Sequence, residues 1–522
     1  MLRIARIVYF IFVVSNVNYT IIHERKRHKM SKFEKITYAK PKYSLKAPVN
    51  LATRNVINES GTPYRSLFMQ DRDRVLYSTP FRLLAGKTQV YVSGIDDNMR
   101  TRLTHTLEVA QIAKTIATNL RLDVDLTEAI ALAHDIGHTP YGHAGERELH
   151  QIMNPSTKHA IENSPLKIDS NEEEAYIIKT YTNELGFKHN LHGIEVAIHE
   201  SKITNNDSLS LTNFTLYGIA HHSAEYYKND GDSGHMKVGY YKRFKNSCLT
   251  KHKQPAWSFE AFVVAQADEI AQRHHDLEDA IRGHLLSCEY VYDQIYSSFR
   301  QFFTSRDNKI FNDLKKSKDN KNETVFYAEL SRLIVNMLVN RIIFYSTENL
   351  NYLITKYKLN ATNFNQFVVE HSGTEEERLI AYDHINSDMI FEASLKSFKQ
   401  KISSNVLDAY EIQCADAKGG YIIRKVAQAL YNNPRQLPDE YLIEYGERIG
   451  MFDYNTARDN MRIRGKGIVR NEILSRINED SVNESRDYTL QINKINLLRC
   501  ICNYIASQTD RTLEKLYQQF YG

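Results

Sequence analysis

The residues of this chain that could do chemistry are concentrated between Ala133 and Glu146. This stretch places three histidines and two carboxylates within fourteen positions. The adjacent His134 and Asp135 can offer one metal ion a neutral imidazole and a carboxylate. His143 and Glu146 lie three residues apart, a spacing at which two side chains share one face of a helix. The pattern predicts a metal-dependent hydrolytic centre.

Two protein ligands do not make a metal site, so further ligands must come from other elements. An apolar period predicts a helix from Arg102 to Leu120, and His105 lies in its first turn beside the apolar stripe. Taken alone, a histidine in such a position is more often structural than a ligand. Next to a His-Asp pair one helix away, the two interpretations are about equally open.

A second long helix is predicted from Ser258 to Leu286, where Ser258 suits the capping position. Asp268 lies in this helix among apolar neighbours, and an unpaired buried charge is costly. Asp268 therefore either forms a salt bridge with a neighbouring helix or ligates a cation. Together with the three earlier candidates it would give two imidazoles and two carboxylates, which suit a divalent first-row ion with positions left for water and substrate.

The composition is that of a soluble globular protein, with 25% charged and 42% hydrophobic residues. A formal charge of +4 over 522 residues does not require a nucleic acid or a membrane as partner. Five cysteines without framework spacing favour reduced thiols, and hence a cytoplasmic protein. The apolar run near the N-terminus is too short to span a bilayer.

We predict three regions, and a mostly helical chain throughout. Residues 1–29 form an N-terminal arm that is either disordered or precedes the true start, residues 30–300 form the catalytic core, and residues 301–522 form a helical region that completes the site or an oligomer. A β-hairpin near Lys237 is the only β-structure expected. The polar run 315–322 is predicted to be an exposed loop, and Asp125 to cap the helix before the His-Asp pair.

Further motifs stand in a fixed order along the chain. They are Gln70–Val75, Phe81–Leu83, Lys87–Val90, Arg102–Val109, Ala133–Glu146, Ala267–Ala271, His275–Ala280 and Tyr504–Arg511. In this order they resemble the motifs of the HD-domain deoxyguanosine triphosphate triphosphohydrolase family. The resemblance runs from Tyr64 to the C-terminus and thins between residues 290 and 410. It implies an all-α HD-domain phosphohydrolase core with a large helical C-terminal extension.

The resemblance also implies roles for individual residues. It implies one divalent metal ion (Mn, Mg, Fe, Ni or Zn) bound by His105, His134, Asp135 and Asp268. It implies that the catalytic residues are His143, Glu146 and His189, with Glu146 holding His143 in one tautomer. Expected contacts to the substrate are Arg82, Lys87, Gln89, Lys237 and Gln272. The family's reaction cleaves a deoxynucleoside triphosphate between sugar and α-phosphate and releases intact tripolyphosphate.

Two other functions stay open at this point. One is an HD phosphohydrolase that acts on nucleoside monophosphates or cyclic nucleotides. Such an enzyme would not need the motifs between Gln70 and Val90, which together form the N-terminal signature. The other is a non-catalytic binder of nucleotides or nucleic acid, which the complete ligand set disfavours. The resemblance further implies a homo-oligomer and an activating deoxynucleoside triphosphate, whereas contact with single-stranded nucleic acid has no support in the sequence.

Two departures from the family pattern leave the preferred base open. Gln272 stands one turn after Asp268, where the family commonly has a tyrosine that can pack against the sugar. His192 and Glu195 stand near His189, where the family commonly has glutamine and arginine.

Overall fold

The fold is known from a computed structural model that describes most of the chain. The described ranges are 40–54, 64–89, 100–155, 160–167, 185–203, 209–222, 256–373, 375–479 and 488–522, with a few single positions between 173 and 181. Within these ranges the chain is all-α, as predicted, and the only β-type pairing is one isolated bridge between Thr88 and Thr101. The predicted hairpin near Lys237 and the predicted arm 1–29 lie outside the described residues.

Nineteen α-helices are found in the described part of the chain. In order they are α1 (Leu67–Leu76), α2 (Thr79–Leu83), α3 (Arg102–Leu120), α4 (Val124–Ala133), α5 (Gly142–Ile152), α6 (His189–Ile203), α7 (Asn213–His221), α8 (Phe259–Arg282), α9 (Cys288–Phe299), α10 (Ser305–Asp319), α11 (Glu323–Tyr357), α12 (Phe364–Glu370), α13 (Ile390–Leu407), α14 (Tyr410–Asn432), α15 (Asp439–Arg448), α16 (Tyr454–Arg464), α17 (Lys466–Glu479), α18 (Tyr488–Ala506) and α19 (Asp510–Tyr521). Short 3-10 turns cover Val49–Leu51, Leu84–Gly86, Arg300–Phe302, Glu376–Leu379 and Pro434–Gln436.

The helices that carry the predicted ligands follow the local sequence signals. Helix α3 begins and ends at the predicted residues, and the Ser258 side chain caps α8 by accepting a hydrogen bond from the backbone of Ala261. Helix α4 corrects the prediction, because Asp123 and not Asp125 accepts the capping bond from Leu126. Asp125 lies in the first turn of α4, where a carboxylate interacts favourably with the helix dipole.

The prediction of an exposed loop over residues 315–322 was wrong for most of that run. Helix α10 continues to Asp319, and Lys316 and Lys318 occupy its last turn. Lysines interact favourably with the negative end of a helix dipole, so a lysine-rich run is compatible with a helix that ends there.

Two apolar clusters position the site. The first contains the buried faces of α1, α3, α4, α7 and α8 together with α9 to α13, and α3 packs against both α4 and α8. The second joins α5 to α14, α15 and α18, so the helix that carries Glu146 shares a core with the C-terminal region. The predicted division at residue 300 stays a prediction.

No helix in the described ranges combines the length and the hydropathy that crossing a lipid bilayer requires. Of the cysteines that the structure describes, Cys288, Cys414, Cys500 and Cys502 are all free thiols.

Candidate metal centre

The structure brings the four predicted ligands together from three separate segments. His105 comes from α3, His134 and Asp135 follow α4, and Asp268 comes from α8. Nε2 of His105 lies 2.9 Å from Oδ1 of Asp268, and Nε2 of His134 lies 3.7 Å from the same oxygen. Nε2 of His134 is also 3.5 Å from Oδ1 of Asp135. The distances place the four donor groups around one small space.

The hydrogen bonds of His134 leave one of its nitrogens for an ion. Nδ1 of His134 donates to the carbonyl oxygen of Ala131 at 2.7 Å, so the lone pair of a neutral ring lies on Nε2. That Nε2 is fully buried and has no hydrogen-bond partner. An unpartnered buried acceptor that faces two carboxylates fits a site for a bound cation.

Both carboxylates are held in their charged forms. Burial opposes the ionisation of Asp135, but His134 and Arg102 keep its pKa well below the usual range. Nη1 of Arg102 donates to Oδ2 of Asp135 at 2.9 Å, which leaves Oδ1 directed toward the imidazoles. Burial likewise opposes the ionisation of Asp268, but the hydrogen bond from His105 and the nearby His134 lower its pKa. Negative charge is therefore available at the centre.

A second group of titratable side chains lies beside the first. Glu146 of α5 accepts hydrogen bonds from Nδ1 of His189 and from Nζ of Lys188. Burial opposes the ionisation of Glu146, but His189 and then Lys188 keep its pKa well below the usual range. The hydrogen bonds of Glu146 go to His189 and Lys188, and none joins it to His143. His143 is exposed and offers a ring nitrogen within 4.8 Å of a Glu146 oxygen, so the predicted hold of Glu146 on the His143 tautomer is corrected to a nearby position without a hydrogen bond.

Two histidines beside His189 were missed by sequence reasoning. Nε2 of His222, at the end of α7, lies 3.1 Å from Nε2 of His189, and burial lowers the pKa of His222 to about 3. The ring of His138 stacks on that of His189 with centroids 3.8 Å apart. The position of His138, three residues after Asp135, was a usable signal, whereas nothing local to His222 indicates the site.

The turn between α4 and α5 is fixed by close backbone contacts. A side chain on Gly137 would place its Cβ 2.2 Å from the carbonyl oxygen of His189 and 2.2 Å from the amide nitrogen of Gly193. His192 donates from Nδ1 to the carbonyl oxygen of Gly137 at 2.8 Å. His192, which departs from the family pattern, therefore connects α6 to the turn through a hydrogen bond.

The predicted substrate contacts lie in different surroundings. Arg82 is exposed and hydrogen bonds to Tyr77 and Thr79 in its own segment. Lys87 is buried, and its ammonium donates to the carbonyl oxygens of His138 and Ala506. Burial lowers the pKa of Lys87 to about 7. The amine of Lys87 is thus engaged inside the protein, and its role as a substrate contact stays a prediction.

The remaining predicted contacts are closer to the centre or cannot be placed. Gln89 is buried, its carbonyl oxygen accepts from Arg102 at 3.3 Å, and its Oε1 has no partner. Gln272 is half-buried on α8, one turn after Asp268. Lys237 lies outside the described residues.

Further buried polar atoms without partners lie on α8 and in the segment before α13. On α8, Arg273 and Asp276 have buried polar atoms without a hydrogen-bond partner, and so does Tyr382, which lies before α13. Burial, followed by the nearby Asp279, raises the pKa of Asp276 to about 7.

Comparison with known proteins places these observations in a family. The model of the HD domain matches residues 102–289, which include all four candidate ligands. A deoxyguanosinetriphosphate triphosphohydrolase-like protein of Bartonella quintana is 30% identical over 389 residues, which are 73% of this chain and 82% of that protein. One of Bordetella pertussis is 30% identical over 422 residues, 76% and 90% of the two chains.

The chain belongs to the deoxyguanosinetriphosphate triphosphohydrolase-like family. A relative from Jannaschia sp. is more similar over a shorter stretch, with 38% identity over 247 residues that span 46% of this chain and 52% of the relative. The resemblance in the motifs is thereby confirmed, and membership makes the chain an HD-domain phosphohydrolase.

Proposed function

We propose that this chain hydrolyses deoxynucleoside triphosphates to deoxynucleoside and tripolyphosphate, with one divalent metal ion. The observation that supports it most is the convergence of His105, His134, Asp135 and Asp268 next to the Glu146–His189 pair. The first group can hold an ion, and the second can hold and move a proton.

The donor set fits a divalent first-row ion. Two imidazoles and two carboxylates suit manganese, iron, nickel or zinc, and the carboxylates also suit magnesium. A bound ion would supply Lewis-acid chemistry for cleavage of a phosphate ester. The buried Nε2 of His134 has no other partner, and Arg102 holds Asp135 by its second oxygen. These contacts turn both side chains toward the same space.

The Glu146–His189 pair supplies the acid–base group. Glu146 accepts from Nδ1 of His189, which places the reactive nitrogen of this ring at Nε2. When the bond between the α-phosphate and the 5′-oxygen breaks, the leaving oxygen needs a proton. His189 can provide this proton from Nε2 when its ring is doubly protonated, because Glu146 then pairs with the positive charge through Nδ1–H. Once the proton has left, the ring is neutral and keeps its other proton on Nδ1, and Nε2 of His222 lies 3.1 Å from the donating nitrogen. His143 is exposed beside them and completes the proposed catalytic group.

The substrate class follows from the names of the relatives and from the N-terminal signature. The relatives are named for triphosphohydrolase action on deoxyguanosine triphosphate. Gln89, at the end of that signature, is connected to the centre through the hydrogen bond between its carbonyl and Arg102. With Gln272 in the usual place of a tyrosine, we propose the class of deoxynucleoside triphosphates without choosing the base.

The test is to incubate the purified full-length chain with each of the four deoxynucleoside triphosphates and Mn²⁺, and to identify the products by ³¹P NMR. Tripolyphosphate with free deoxynucleoside is the expected result. Orthophosphate or a nucleoside monophosphate as product would contradict it and point to another HD phosphohydrolase. Binding without turnover, with Mg²⁺ and other ions as well, would show a non-catalytic nucleotide binder.

A ligand variant and a matched control make the test specific. Asp135→Asn removes one negative charge from the centre, and we expect loss of Mn²⁺ binding together with a fall in turnover of at least about 100-fold. Asp125→Asn makes the same chemical change in the first turn of α4, where the carboxylate pairs with Arg72. It should leave both quantities unchanged, and equal losses in the two variants would contradict the proposed centre.

A further inference from the structure

A chain of hydrogen bonds leads from the candidate ligand His105 to the surface. Nδ1 of His105 lies 3.2 Å from Nδ1 of His275, and Nε2 of His275 lies 2.5 Å from Oε2 of Glu108. His105 and His275 are both buried, and the Glu108 side chain is 39% exposed. The other oxygen of Glu108 is 3.6 Å from Arg100.

The two helices contribute to this chain in a paired way. Helix α3 supplies the ligand His105 and, three residues later, Glu108. Helix α8 supplies the ligand Asp268 and, seven residues later, His275. Residues at these spacings lie on one face of a helix. The packing of α3 on α8 therefore brings the two ligands together and, one to two turns further along, His275 and Glu108.

The positions of the protons follow if Nε2 of His105 binds an ion. Nε2 must then carry the lone pair, so the proton of the neutral ring is on Nδ1. That N–H donates to Nδ1 of His275, which must be the acceptor. The proton of His275 is consequently on Nε2, where it donates to Glu108. Each nitrogen and oxygen then has a consistent role, and both rings are neutral.

The same assignment of protons excludes a second ion bound by His275. Glu108, His274 and His275 form a group whose donor atoms are close enough to hold a cation. If Nε2 of His275 bound one, the proton of His275 would be on Nδ1. It would then face the protonated Nδ1 of His105 at 3.2 Å, with no acceptor between them. An ion at His105 and an ion at His275 are therefore incompatible.

We propose that His275 and Glu108 are positioning residues that fix the tautomer and the ring orientation of His105, so that its Nε2 faces the metal ion. This inference rests on the proposed metal centre and not on the identity of the nucleotide. Removing a group that hydrogen bonds to a metal-binding histidine typically lowers metal affinity by roughly 10- to 100-fold.

The hydrogen bonds from His105 to His275 and from His275 to Glu108 form a relay, and two substitutions of His275 separate its two halves. In His275→Asn the amide oxygen can take the place of Nδ1 and still accept from His105, but the side chain is too short for Glu108. In His275→Gln the amide can reach Glu108, but it offers no acceptor near His105. We expect Mn²⁺ affinity, measured by titration in the absence of nucleotide, to fall about 10- to 100-fold in His275→Gln and clearly less in His275→Asn.

His274→Asn is the matched control. Nε2 of His274 also lies 3.1 Å from Glu108, but the structure records no contact between His274 and His105. We expect unchanged Mn²⁺ affinity in this variant. Circular dichroism checks that all three variants are folded, and since both His275 variants remove the same ring, the difference between them does not reflect loss of the core.

Several results would overturn the relay. Equal Mn²⁺ affinity in wild type and His275→Gln would do so, as would two ions per chain with one lost in Glu108→Ala. If Mn²⁺ binding weakens in His275→Gln but the wild type does not hydrolyse triphosphates, the proposed function is contradicted and the relay is supported. If the wild type hydrolyses triphosphates and Mn²⁺ affinity is unaltered in His275→Gln, the relay is contradicted and the proposed function is supported. If the wild type binds no divalent ion, both proposals fail.

Discussion

At the scale of single residues, the site depends on which partner each imidazole has. His134 donates to a backbone carbonyl, His189 donates to Glu146, and His105 faces His275. An imidazole has two nitrogens and, when neutral, one proton, so each partner decides which nitrogen is left for chemistry. The proposed division of the cluster into ion-binding and proton-transferring histidines follows from these partners.

Replacing Glu146 tests the proton-transferring half. Glu146→Gln removes the negative charge beside His189 and Lys188. We expect kcat for triphosphate hydrolysis to fall by about 100- to 10,000-fold, the usual range for a disturbed general acid, while Mn²⁺ affinity stays near the wild-type value. Steady-state kinetics and Mn²⁺ titration measure the two.

The neighbouring Arg147 provides the control for Glu146. It lies on the outer face of α5, where it pairs with Asp416 and is 58% exposed. Arg147→Ala should leave kcat unchanged. A parallel loss of Mn²⁺ binding in Glu146→Gln would mean that Glu146 belongs to the metal centre, against the division drawn here.

At the scale of elements, the approach of α6 to the turn after α4 requires a glycine. A Cβ on Gly137 would overlap backbone atoms of His189 and Gly193, neither of which can move without the helix. We expect Gly137→Ala to displace the start of α6, lower the unfolding free energy by about 2–4 kcal/mol and abolish activity. Thermal unfolding and the hydrolysis assay measure both effects.

Gly467 is the control for this substitution. It lies in α17, and no atom is within 4 Å of the position that its Cβ would occupy. Gly467→Ala should leave activity unchanged and should not lower stability, since alanine favours the helix. If Gly137→Ala is equally harmless, the turn and α6 are not as close as the structure places them.

Glu260, at the start of α8, gives a pH-dependent prediction. Its Oε1 accepts from the backbone of Ala47 and Asp123, its Oε2 has no partner, and burial raises its pKa to about 7. A raised folded-state pKa favours the protonated form. The stability that Glu260 contributes is thus fully present below pH 4.5 and is lost as the pH rises to about 7.

Glu260→Gln keeps an acceptor for both backbone donors and carries no charge. We expect it to match the wild type near pH 4.5 and to be more stable above pH 7, by at most about 3 kcal/mol. Urea unfolding at a series of pH values measures the difference. If the unfolding free energies of the two proteins change with pH in the same way between pH 4.5 and 7, burial does not raise the pKa of Glu260.

At the scale of the whole molecule, the last helix is connected to the site. Asp510 accepts hydrogen bonds from the backbone and hydroxyl of Thr88 and from the backbone of Tyr141 at 3.0 Å. Tyr141 has a left-handed backbone with φ of 57°, which is costly for a residue with a side chain and needs support from its surroundings. One carboxylate thus joins the N-terminal signature, the turn between α4 and α5, and the C-terminal region.

Asp510→Ala should uncouple these three parts. It leaves several buried donors without an acceptor, and we expect the unfolding free energy to fall by about 2–4 kcal/mol, with reduced turnover. Glu514→Ala, one turn later on α19, removes only an exposed ion pair with Lys418 and should cost less than about 0.5 kcal/mol. Equal effects of the two substitutions would show that the link through Asp510 is not needed.

The sequence predicted the elements of the site better than their surroundings. The bounds of α3 and the cap of α8 followed from apolar period and capping chemistry, which are local. The local sequence did not predict that Asp268 lies beside the His-Asp pair, because a salt bridge to a neighbouring helix explained its burial equally well. That prediction came from the resemblance in the motifs. The burial of Lys87 depends on carbonyls 51 and 419 residues away, which no local pattern contains. His222 is likewise recognisable only from its distance to His189.

The predicted homo-oligomer, the activating nucleotide and the cytoplasmic location stay predictions. Each concerns a second molecule or a compartment, and each depends on surfaces or conditions rather than on the internal contacts described above.

The position of Asp510 near the end of the chain has a consequence for synthesis. A nascent polypeptide that has already emerged from the ribosome as far as α8 contains every proposed ligand, yet Tyr141 and Thr88 still lack the carboxylate that holds them. The turn between α4 and α5 can reach its final conformation only after Asp510 has been synthesised and has left the exit tunnel.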